Sequence, residues 1–129
     1  MKIKWTTVYV NDQEKALRFY TEVLGFQKKA DFSQGDYRWL TVVAPEEPDG
    51  MELLLESAAN PAGGAYQQAL YAQKRPAAQF LVKDVQAEHE RLVGKGAKFT
   101  MPVTKVTGSV IAVVDDTCGN LSQLVQLAW

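Results

Sequence analysis

Apolar and polar positions alternate in short runs along this chain and twice switch to a helical spacing. Residues 3–10 are rich in β-branched and aromatic side chains and end at Asn11-Asp12, which predicts a strand followed by a helix capped by Asp12. Ala16, Leu17, Tyr20, Val23 and Leu24 then fall on one helical face, and Gly25 supplies the stop. Two strands are expected at about residues 26–32 and 37–43, joined across Gln34-Gly35-Asp36. Pro45, Pro48 and Gly50 end the second, and residues 51–56 read as a fourth strand.

A Gly/Pro/Ala-rich stretch at 57–64 and a short predicted helix at about 66–72 lead to Pro76, where the pattern starts again. A strand is expected at 77–82, then a helix capped by Asp84 and running to Val93, then glycines at 94 and 96. Three more strands follow near 98–100, 108–114 and 121–127, the last preceded by the turn Cys118-Gly119-Asn120. This is an internal repeat. Val10-Asn11-Asp12 overlays Val82-Lys83-Asp84 at an offset of 72. Leu40-Thr41-Val42-Val43 overlays Ile111-Ala112-Val113-Val114 at 71, and Glu52-Leu53-Leu54-Leu55 overlays Gln123-Leu124-Val125-Gln126 at 71, the change absorbing a deletion near the first helix end. The expectation is an α+β fold of two βαβββ repeats in a single domain over residues 1–129, with halves at about 1–57 and 76–129 and a linker at about 58–75.

Composition narrows the function classes. The 129 residues are 47% hydrophobic and 22% charged, with 14 basic against 15 acidic side chains. A net charge of -1 argues against a nucleic-acid binder, which needs excess Lys and Arg to meet phosphates. With no leader-like start and no apolar run of membrane-spanning length, the expectation is a cytoplasmic protein with no membrane partner. One cysteine, Cys118, excludes an intramolecular disulfide, and one histidine, His89, excludes a multi-histidine metal site within one chain. His89 follows Val85 by one helical turn and overlays Leu17, so it reads as a packing residue. Cys118 reads as a turn residue with no histidine near enough to activate it. Gly63-Gly64 lacks the strand, helix and following Lys-Ser/Thr of a phosphate-binding loop.

The run from Val8 to Phe26, Val-Tyr-Val-Asn-Asp-Gln-Glu-Lys-Ala-Leu-Arg-Phe-Tyr-Thr-Glu-Val-Leu-Gly-Phe, resembles the opening of the vicinal oxygen chelate superfamily. The run from Asp115 to Leu124 resembles that superfamily's final turn and strand. The group includes glyoxalase I, bleomycin-resistance proteins, extradiol dioxygenases and fosfomycin-resistance enzymes. The resemblance implies mixed sheets curled around a cleft, helices on the outer faces, and a homodimer. It also implies four inward-facing metal-ligand positions, held here by Trp5, Glu52, Ala77 and Gln123. Of these only Glu52 is a competent ligand, so no metal and no cofactor are expected.

Strand alternation places Trp5, Thr7, Tyr9, Trp39, Glu52, Leu54, Glu56, Ala77, Gln79, Leu81, Leu121, Gln123 and Val125 toward the cleft. The candidate ligand-binding residues are Trp5, Thr7, Tyr9, Trp39, Glu52, Leu54, Gln79 and Gln123, a set suited to a small neutral or aromatic molecule. In the alternative, Trp5 and Trp39 fill the cleft as core. Glu52 is the candidate catalytic residue of a second alternative, a lyase, isomerase or dioxygenase-type enzyme using it as general base or within a non-standard metal site.

Overall fold

Two aspartates start the two matching helices. The Asp12 side chain accepts from Lys15 N at 3.0 Å and the Asp84 side chain from Ala87 N at 3.1 Å, each satisfying a backbone donor left free in a first helical turn. Around these caps the computed structural model describes residues 1–128. The first half comprises β1 (Trp5–Val10), α1 (Gln13–Arg18), β2 (Gln27–Gln34), β3 (Tyr37–Val43) and β4 (Glu52–Ser57). A π-helical turn, Phe19–Val23, continues α1. After α2 (Pro61–Ala72) the second half repeats the order with β5 (Ala78–Leu81), α3 (Val85–Gly94), β6 (Lys98–Val106), β7 (Ser109–Asp115) and β8 (Leu121–Leu127).

Each half forms one mixed four-stranded sheet, ordered β1-β4-β3-β2 and β5-β8-β7-β6. The crossover strand of each lies parallel to its neighbour, and the other pairings are antiparallel. The fold is therefore α+β, built from two βαβββ units. Helix α2 starts five residues earlier than the predicted helix because Pro61 sits in its first turn and Asn60 caps it, accepting from Ala62 N and Gly63 N.

One face of each sheet is covered by helix. Val8, Val10, Leu40, Val42, Leu53 and Leu55 pack against Ala16, Phe19 and Tyr20. Ala112 and Leu124 pack against Val85 and Leu92. The clusters meet on the helix side: Val114, Cys118, Phe80 and Phe99 join the first, while Val23 and Leu24 join the second. Phe26 meets Phe80 edge-on at 5.0 Å across this junction. The tie between halves is also polar, since Arg91 donates to the carbonyls of Val23 and Leu24.

Ladder register corrects the repeat offsets. Thr41 pairs with Leu54, and Val113 pairs with Gln123. Leu40 and Val42 face the helix, as do Ala112 and Val114, so β3 maps onto β7 at 72 rather than 71. A one-residue slip would exchange the two faces. Trp5 pairs with Glu52, while Ala77 N donates to Leu121 O, so the counterpart of Glu52 is Leu121 and the offset there is 69. The 71 offset exists only from β2 to the start of β6. The π-helical turn gives the first half one extra residue, and a second irregularity in β6, between Met101 and Thr104, returns it.

Candidate functional site

The face of the first sheet turned away from α1 carries Trp5, Thr7 and Tyr9 from β1, Glu52 and Leu54 from β4, and Trp39 and Thr41 from β3, of which Thr41, Glu52 and Leu54 are buried. These positions are brought together by the register Trp5 to Glu52, Thr7 to Leu54 and Thr41 to Leu54. Phe32 lies opposite Trp39 on β2. The Phe32 and Trp39 rings stack at 6.3 Å with 22° between planes, and Trp5 meets Trp39 edge-on at 6.0 Å. Trp5 is 53% exposed and Phe32 61%, while Trp39 between them is half-buried, so the outer two rings of the cluster are open to solvent.

Glu52 is 7% exposed and has two partners. Thr41 Oγ1 donates to its Oε1 at 2.7 Å, and Lys4 Nζ lies 3.5 Å from its Oε2. The same ammonium donates to the carbonyls of Asp49 and Gly50, closing the loop between β3 and β4. Both carboxylate oxygens thus have a partner within the chain.

The uncovered face of the second sheet is aliphatic and amide-bearing. Gln79 and Gln123 pair in register, and Gln123 Nε2 donates to Gln79 Oε1 at 2.9 Å. Leu81 is 72% exposed. Ala77 precedes β5, is partly buried, and lies in contact with the hydrophobic core between the halves. The candidate residues thus fall in two groups, one per sheet face. Two concavities, of about 320 and 290 Å³, lie on the helix side instead, where the halves meet. Leu24, Phe26, Phe80 and Leu92 line the larger and Thr6, Val8 and Leu53 the smaller, to which Gln79 alone of the candidate residues contributes.

The four positions matched to metal ligands do not fit a divalent ion. They supply an indole, an engaged carboxylate, an alanine with no donor atom, and either Gln123, a neutral amide, or Leu121, the register counterpart of Glu52, which has no donor atom. Among the described residues no three His, Cys, Asp or Glu side chains converge. His89 packs its ring on Phe99 at 4.3 Å.

At the end of β1 a buried polar hub joins the halves. Asp116 is fully buried and accepts from Cys118 N, Asn120 N, Asn120 Nδ2 and Tyr20 Oη. Burial pushes its carboxyl upward, against the pull of those donors, and pushes the Tyr20 phenol well above its ordinary value of 10.0. Burial and the Asp116 carboxylate raise the Cys118 thiol to about 11. Native protein at pH 7.5 should therefore react with iodoacetamide at least about twentyfold more slowly than urea-unfolded protein. Equal rates, followed by mass spectrometry, would refute a closed hub.

The sequence reading missed Phe32, Thr41 and Lys4. A signal for Phe32 existed: Gly35-Asp36 makes a two-residue turn, setting Gln34 opposite Tyr37 and so Phe32 opposite Trp39. Lys4 precedes the strand and reaches Glu52 through a loop contact that no periodicity encodes.

Two half-sheets with parallel crossover strands, each open on one face, define a class of tandem βαβββ proteins. The chain belongs to the Glyoxalase/Bleomycin resistance protein/Dioxygenase superfamily, whose sequence model matches residues 2–124. It is 51% identical over 126 residues to YurT, an uncharacterized protein of Bacillus subtilis (strain 168), spanning 98% of this chain and 99% of that one. Among solved structures it is similar to UcmS2, at 29% identity and a TM-score of 0.84, covering 97% of each chain. It is also similar to TnmS3, an antibiotic binding protein from Streptomyces sp. CB03234, at 26% identity and a TM-score of 0.79, covering 99% of this chain and 97% of that one.

Proposed function

We propose that this protein binds a small, neutral, aromatic molecule without a metal ion, on the open face of the first sheet. The observation that carries the reading is the aromatic cluster of exposed Trp5 and Phe32 around half-buried Trp39, which offers ring faces and edges for a flat ligand to pack on. TnmS3, an antibiotic binding protein of the same fold, supports small-molecule binding. Because both open faces lie on the surface, a second copy of the chain completes the site, its amide-bearing face opposing the aromatic one. The general-base reading of Glu52 gains nothing from its surroundings, since both carboxylate oxygens are already engaged.

Nile red, a neutral planar dye, serves as the probe. Saturable quenching of tryptophan fluorescence is expected, with Trp39→Ala weakening it about tenfold or more. Prior dialysis against EDTA should leave the affinity unchanged. A dye that binds Trp39→Ala as well as wild type defeats the site. Loss of binding on chelation, restored by zinc, defeats metal independence. A monomer by light scattering, with and without dye, defeats the two-copy site.

A further inference from the structure

We propose that α2 is the end wall of this ligand face and that Gly63 and Gln67 are positioning residues acting through Tyr9. The inference rests on the ligand face proposed above and adds a means by which its aromatic floor is held.

The first observation is steric. Among the described residues α1 and α3 cover the other side of the sheets, whereas α2 touches the ring of Tyr9, which points from β1 to the open face. The first turn of α2 reaches that ring because position 63 has no side chain: a Cβ there would collide with Cδ1 and Cε1 of Tyr9. Gly64 beside it lies against the Ala58 carbonyl, where a Cβ would come within 2.6 Å. This pair, which fits no phosphate loop, is explained by close approach. Alanine is the better helix former, so helix stability alone disfavours glycine here.

The second observation is polar and independent of the first. Gln67, one turn beyond Gly63, is 3% exposed, and its Nε2 donates to Tyr9 O at 2.8 Å and to Cys118 O at 3.0 Å. Asn120 Nδ2 donates to the same Tyr9 carbonyl at 2.8 Å. Two side-chain amides from different segments therefore converge on one backbone oxygen of the open-face strand. The Tyr9 backbone is held by Gln67 and Asn120 and its ring by Gly63. A ligand on the aromatic cluster meets this ring as a fixed boundary, and ligand length is selected by where α2 stops it.

The test is a binding cycle with Nile red. In the wild-type background Gly63→Ala should weaken binding about fivefold or more, because the displaced ring intrudes on the face. In a Tyr9→Leu background the same substitution should change affinity less than about twofold. Gln67→Leu should behave in the same way. Equal losses in both backgrounds, or no loss in either, overturn the inference. Should a variant fail to fold, wild-type protein labelled at Gly63 and Tyr9 decides it by NMR. Saturating dye should shift the Gly63 amide and the Tyr9 ring protons, and unmoved signals overturn the inference. Wild type that binds no dye removes the ligand face itself, an outcome distinct from a dye bound without regard to α2.

Discussion

Asp116→Ala is expected to destabilise the protein by about 3–5 kcal/mol, read as a lower urea midpoint with an unchanged slope. The carboxylate is fully buried and takes all four of its hydrogen bonds from the protein: two backbone N–H groups, the Asn120 amide and the Tyr20 hydroxyl. Alanine strands those donors where no water reaches, a larger penalty than the net worth of the bonds. Asn120 also holds Tyr9 O, and Gln67 bridges that oxygen to Cys118 O, so the loss spreads from one half to the other. Tyr20→Phe removes a donor and leaves three partners on the carboxylate, and should cost only about 1–2 kcal/mol. An alanine variant as stable as the phenylalanine one would show that the turn refolds around the vacancy.

The second large effect is at Glu52. Glu52→Ala should cost about 2–4 kcal/mol, because Thr41 Oγ1, fully buried, loses its acceptor and Lys4 its counter-charge. Glu52→Gln keeps an oxygen for Thr41 and should cost about 1 kcal/mol. The pairing of Lys4→Met with Glu52→Leu should recover only the ion-pair part of the alanine loss, since apolar packing replaces the two charges but leaves the Thr41 hydroxyl without its acceptor. Nile red affinity should follow folded fraction in all of these variants. A Glu52→Gln protein of wild-type stability that no longer binds the dye would instead place the carboxylate against the ligand.

Much of this was legible in the residues. The caps at Asp12 and Asp84, the β-branched runs and the strand alternation around Leu53 and Leu55 lie within a few residues of one another, and the chain reports such local chemistry directly. Two things were not local. Face assignment in the repeat depended on register, and an overlay by similar letters, Leu40-Thr41 on Ile111-Ala112, slid by one, enough to exchange core for surface. The partner of Glu52 sits 11 residues away on the neighbouring strand, whereas those of Tyr9 and Asp116 lie 58 and 96 residues away and are set by how α2 and the second half pack on the first. Trp5, Tyr9 and Glu52 could be placed on a face by sequence. That the face is open, and that α2 abuts its end, required the assembled chain.

The unequal lengths of the two halves have a consequence of their own. A unit duplicated in tandem starts with two equal copies, and every later insertion threatens to scramble what each copy shows to the outside. Here the surplus residue of the π-helical turn is returned at the β6 irregularity, and the remaining difference of three lies between β3 and β4, in a loop. Neither alternation is disturbed. Such silent length changes leave the copies free to drift apart in surface chemistry while their shared interior stays as it was. One half bears rings and the other amides, so the likeness of the halves lies in the scaffold alone.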